Sequence, residues 1–165
     1  MTLAQVNALS RDEFTEYFGR IYEHSPWVAE QVWPKRPYQS RDQLRDLMRS
    51  EVENAGRDRQ LALLRAHPDL GTRAKIGDFS ANEQKGVGLD QLTSDEYEML
   101  LDLNRRYSEQ FGFPFIFAVR GSDRQDIFHA LMIRLDADAE EEFHQALWEV
   151  HRIAFFRLSD LIETQ

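Results

Sequence analysis

The chain contains no cysteine. That excludes disulfides, thiolate nucleophiles and sulfur-ligated zinc. It fits a reducing compartment, and a cytoplasmic location is the expectation. No run approaches the roughly 20 apolar residues that span a bilayer, so no membrane role is expected. The opening Met1-Thr2-Leu3-Ala4-Gln5 lacks a basic stretch followed by an apolar one, which predicts no secretory leader. The closing Glu163-Thr164-Gln165 is not the peroxisomal address. Positive charge is in deficit, with 20 Lys and Arg against 29 Asp and Glu and a net charge of -9. Such a surface repels phosphate backbones, so no nucleic-acid partner is expected. A local arginine could still hold an anionic small molecule.

Several familiar chemistries are also missing. There is no Gly-x-Ser-x-Gly elbow and no His-Glu-x-x-His. The stretch from Gly71 to Gly77 does not match a phosphate loop. Gly86-Val87-Gly88 continues as Leu89-Asp90-Gln91, which is no dinucleotide fingerprint. Of the five histidines, His144 and His151 share a helical face but stand seven residues apart. That is too far for a ready metal pair, so no metal site is expected.

What remains is a helical pattern. The 165 residues suit one domain, 1–165, and 42% apolar content argues for a packed core. Ser10 with Glu13, Ser40 with Gln43, Thr93 with Glu96 and Ser122 with Gln125 read as helix starts. Phe14, Tyr17, Phe18, Ile21 and Tyr22 recur at helical spacing, as do Leu44, Leu47, Met48 and Val52. Ser25-Pro26 opens a short helix that Pro34 and Pro37 stop. Gly56 closes the Ser40 helix, and another covers Arg57 to Ala66. Tyr97, Leu100, Leu101 and Tyr107 mark the Thr93 helix, which Gly112 and Pro114 break. The last helix starts near Asp138 and runs towards Ile162. Residues 67–92 hold four glycines and no long period. Phe113 to Val119 reads as extended or irregular and buried. The expectation is an all-α, single-domain bundle of about seven to nine helices with an irregular glycine-containing active-site segment.

Three places carry chemistry. His67 stands at a helix-to-loop junction, and Pro68 restricts its backbone. Imidazole exchanges protons near neutral pH. On local sequence alone, a histidine that interacts with the last helix carbonyls is the favoured explanation. Ser80-Ala81-Asn82-Glu83-Gln84 reads as a capping box from Ser80 to Glu83, or as a helix N-terminus aimed at a polar substrate with Glu83 beside it. Arg157 borders a stripe of Phe143, Leu147, Val150, Ala154 and Leu161. It either snorkels from that border or reaches inward to hold a carboxylate or carbonyl.

Taken together, these segments resemble the 2-oxo-4-hydroxy-4-carboxy-5-ureidoimidazoline (OHCU) decarboxylases. The resemblance covers nearly the whole chain. It is carried by Tyr22-Glu23-His24-Ser25-Pro26-Trp27-Val28, His67-Pro68-Asp69-Leu70, Ser80-x-x-Glu83-Gln84 and Gly88-Leu89. It continues in Leu103-Asn104-x-x-Tyr107, Phe111-Gly112-Phe113-Pro114-Phe115-Ile116 and Arg152-Ile153-Ala154-x-x-Arg157-Leu158. Each motif is weak alone, and their order and spacing are together specific. Gly71 stands where many members are expected to carry alanine.

The resemblance implies a helical homodimer that uses no metal or organic cofactor. It implies release of carbon dioxide from a ureidoimidazoline to give (S)-allantoin in urate degradation. It implies His67, Glu83 and Arg157 as catalytic groups. Pro68, Ser80, Ala81, Asn82, Glu83, Gln84, Phe115, Ile116, Phe117, Ala118 and Val119 would line the substrate site. Read from the residues alone, a ureide ring hydrolase or a non-catalytic helical binding module stays open. A hydrolase would release no carbon dioxide, and a binding module would show no turnover.

Overall fold

Short polar side chains set most helix starts in this chain. The computed structural model describes residues 1–71 and 78–163, with 78–81 described by backbone alone. Among the described residues are α1 (Leu3–Ala8), α2 (Arg11–Phe18), α3 (Trp27–Val32), α4 (Arg41–Glu53), α5 (Arg57–Arg65), α6 (Asp78–Gly86), α7 (Ser94–Phe111), α8 (Arg124–Arg134) and α9 (Ala139–Leu161). Short 3-10 turns cover Trp33–Lys35 and Leu89–Gln91, and no strand is present among these residues. The fold is all-α. Ser10, Ser40 and Thr93 accept from the amides of Glu13, Gln43 and Glu96 as their spacing predicts. Each such bond satisfies a donor that the first turn leaves without a helical partner.

Four boundaries differ from expectation. Helix α8 is capped by Asp123, with Asp126 returning a carboxylate to the Asp123 amide. Ser122 instead donates its amide to the Val119 carbonyl in the preceding turn. Helix α6 begins at Asp78, so Ser80 lies inside its first turn and is not an N-cap. Helix α4 closes at Asn54, and Gly56, at φ +91°, opens α5. Helix α1 was not anticipated. Six residues are too few to show a period, although Thr2 and Gln5 form a capping box. Two apolar assignments also change, since Tyr17 and Leu101 are exposed.

The chain falls into two compact units. The first comprises Met1–Ala66 and His151–Gln165, and the second His67–Val150. Among the buried residues of the first are Val6, Phe14, Phe18, Leu44, Met48, Val52 and Leu158. The second buries Leu100, Leu103, Tyr107, Phe115, Leu131, Phe143 and Leu147. Within it, Tyr107 sits edge-on to Phe115 with ring centroids 5.4 Å apart, and edge-on to Phe113 at 5.9 Å. Such aromatic pairs add to plain area burial.

Candidate active site

Helix α5 closes the first stretch of the first unit, and the second unit begins at His67. Ala66 closes that helix, its amide bonded to the Ala62 carbonyl, and His67 follows as a buried residue with Pro68 half-buried. The next residues are fastened by two other helices. Asn104 of α7 donates from Nδ2 to the Leu70 carbonyl at 3.0 Å. The Gly71 amide donates to Gln84 Oε1 of α6 at 2.8 Å. Gly71 has φ +74°, and a Cβ there would lie 2.3 Å from Leu100 Cδ2. Glycine is therefore favoured on two counts, backbone sign and space. Tertiary fastening of this kind holds the backbone that follows His67.

The Ser80–Gln84 segment divides. Gln84 is buried and its amide oxygen is engaged on Gly71, so it ties α6 to the histidine loop. Glu83 is half-buried and Asn82 exposed. The side chains of Ser80 and Ala81 lie outside the described residues.

Phe113 to Val119 has neither helix nor strand, and most of it is buried. Phe115, Ile116, Ala118 and Val119 are buried, while Phe117 is half-exposed and stacks near Phe115. Two charged side chains hold its backbone. Arg134 of α8 donates to the Ile116 carbonyl at 2.5 Å and lies 4.5 Å from the centre of the Phe115 ring. Its Nε also donates to Glu142 of α9 at 2.6 Å, and the Tyr107 hydroxyl donates to the same carboxylate. Burial, and after it the bond to Glu142, pushes the Tyr107 hydroxyl above the ordinary tyrosine range, so it remains a donor. Glu149 of α9 accepts from the Ala118 amide at 2.8 Å and from Gln145 Nε2 at 3.2 Å.

Sequence reasoning missed Arg134, Glu142 and Glu149. The available signal was their place in the helical period. Glu142 and Glu149 recur at seven residues beside the Phe143–Leu147–Val150 stripe, where a carboxylate needs a buried partner.

Arg157 belongs to the first unit and does not snorkel. It is 1% exposed. Its Nη2 lies 3.0 Å from Glu23 Oε2, and its Nη1 donates to the carbonyls of Arg20 and Ile21, both at 3.3 Å. It reaches inward, and the carboxylate it meets there, Glu23, belongs to the chain itself.

Among the described residues no three His, Asp or Glu side chains converge as metal ligands. The model of the OHCU decarboxylase family matches residues 7–159.

The chain belongs to the OHCU decarboxylase family.

Among its relatives is the 2-oxo-4-hydroxy-4-carboxy-5-ureidoimidazoline decarboxylase of Haloferax volcanii, 47% identical over 165 residues. That alignment covers 100% of this chain and 98% of the relative. A uric acid degradation bifunctional protein of a Bacillus species is 47% identical over 161 residues, which cover 98% of this chain and 32% of that protein. Among solved structures, that of an (S)-allantoin synthase matches with a TM-score of 0.81 at 34% identity. The match covers 99% of this chain and 55% of the synthase chain.

Proposed function

We propose that this chain decarboxylates OHCU to (S)-allantoin, with release of carbon dioxide, in the breakdown of urate. The observation that carries this reading is the family match from residue 7 to residue 159, reinforced by a decarboxylase relative aligned over nearly its full length. The protein acts as a homodimer in the cytoplasm and needs no metal or organic cofactor.

The chemistry explains the last point. The ring carbon that loses carbon dioxide adjoins a ring imine. The electron pair left by the departing carboxylate moves onto the imine nitrogen, so the substrate supplies its own electron sink. The neighbouring ring carbon then takes a proton, and the hydroxyl-bearing carbon becomes a carbonyl. The protein's task is to hold the carboxylate out of the ring plane and to deliver that proton to one face.

In this reading His67 donates the proton, from a loop fastened by Asn104 and Gln84. Glu83 holds the hydroxyl or ureido group, and Arg157 binds an oxygen of the ring or ureido group. Pro68, Ser80, Ala81, Asn82, Gln84 and the Phe115–Val119 run line the site. The Glu23 carboxylate on Arg157 supports this division of labour. A guanidinium already compensated by an internal anion favours a neutral oxygen over the leaving carboxylate. Strong pairing with that carboxylate would stabilise the charge that the reaction removes. The apolar run from Phe115 to Val119 suits the departing group for the same reason.

Circular dichroism of the product tests the reading. Fresh substrate is generated from urate enzymatically, with and without the protein, and evolved carbon dioxide is measured alongside. Rapid growth of an (S)-allantoin signal, abolished in a folded His67→Gln variant, is expected. Achiral product at the spontaneous rate would overturn it, and turnover without carbon dioxide would indicate a hydrolase.

A further inference from the structure

Buried backbone amides and carbonyls must be paired, and regular structure normally pairs them. The Phe115–Val119 run is buried except at Phe117 and has no regular structure. Its Ile116 carbonyl is met by Arg134 and its Ala118 amide by Glu149. In an extended chain these two groups face the same side, where a neighbouring strand would sit. A cation and an anion from α8 and α9 thus do the work of a missing strand. The Glu149 carboxylate is itself steadied by Gln145, one turn earlier on α9. Buried charges contribute little to stability for their desolvation, so a role in placing the backbone accounts better for this one.

We propose that Glu149 is a positioning residue for the decarboxylation. By holding the Ala118 amide it sets the wall beside the planar ring, and so decides which face receives the proton. This rests on the reading above that Phe115–Val119 lines the substrate site.

Two variants separate hydrogen-bond reach from charge. Glu149→Gln keeps an acceptor at the same reach and loses the charge. Glu149→Asp keeps the charge and shortens the side chain by one methylene. The expected result is that Gln retains turnover within about threefold, with (S) product. Asp should lose about tenfold or more in kcat with a smaller change in KM, since small misplacements carry large rate penalties. Its product should also become partly racemic. Enantiomer ratio is read with enough enzyme that catalysed turnover far exceeds spontaneous decay. Partial unfolding lowers the amount of active enzyme and leaves that ratio unchanged. An Asp variant equal to wild type in kcat and handedness would overturn the proposal, as would a Gln variant impaired as badly as Asp. In both cases active wild-type enzyme leaves the decarboxylase reading standing. Wild-type protein that fails to accelerate the reaction would overturn both.

Discussion

At the scale of single residues, local sequence says which groups can do chemistry and little about what holds them. His67 was legible because Pro68 and the glycine-containing stretch after it mark a junction. The fastening of its loop was not, because Asn104 and Gln84 reach Leu70 and Gly71 from other helices. If His67 is the proton donor, His67→Gln should lower kcat by about 10²–10⁴-fold without changing the melting temperature appreciably, as steady-state kinetics and a thermal melt would show. Arg157 stood out as a charge beside an apolar stripe, yet only the fold reveals Glu23 as its partner. Removing one member of a buried pair leaves the other charged and unpaired, so Glu23→Ala should cost about 3–5 kcal/mol. The exposed pair of Lys35 and Glu51 is geometrically as close. Solvent screening limits its worth, and Glu51→Ala should cost at most about 1 kcal/mol, with both variants measured by urea titration.

At the scale of elements, helices were legible where start signals and apolar periods coincide, as at Ser10 and Thr93. They were misread where a capping motif occurs without being used. Ser80 and Glu83 have the right spacing, but α6 already runs from Asp78. Ser122 and Gln125 have it too, but Asp123 with Asp126 makes the better reciprocal pair. The correction at α8 is directly measurable. Asp123→Ala should lower stability by about 1 kcal/mol in denaturant midpoint, whereas Ser122→Ala should stay within about 0.5 kcal/mol. The Phe113–Val119 run was recognisable as buried and irregular because glycine and proline interrupt α7. Its partners Arg134, Glu142 and Glu149 were hidden because they sit on other helices.

At the scale of the whole molecule, an acidic balance combines with a buried histidine to set the response to pH. In the first unit, His151 Nδ1 lies 2.8 Å from the Tyr22 hydroxyl and its Nε2 lies 2.9 Å from Glu53 Oε1. Burial keeps the Tyr22 hydroxyl protonated, so neutral His151 accepts at Nδ1 and donates from Nε2. Burial holds the His151 pKa below its usual 6.5, partly offset by the bond to Glu53, while nearby Arg49 adds to the lowering. The unfolded chain therefore takes up a proton at a pH where the folded chain does not. Stability from this group is complete above about pH 6.5 and declines as pH falls towards the folded value. At lower pH a second loss follows, because hydrogen bonds from the capping serine and threonine depress the pKa values of Glu13 and Glu96 in the folded state. Denaturant titrations across pH should show the first loss in wild type and not in His151→Gln.

The contact between Gly71 and Leu100 constrains the order in which this sequence can change. A methyl group at position 71 meets the Leu100 side chain and a backbone sign that disfavours it. Alanine at 71 therefore needs the Leu100 side chain to shift or shrink, and it strains the backbone at φ +74°. Relatives that carry alanine here should then differ at the position facing it. Gly71 and Leu100 thus form a pair in which a change at one alters what the other position tolerates.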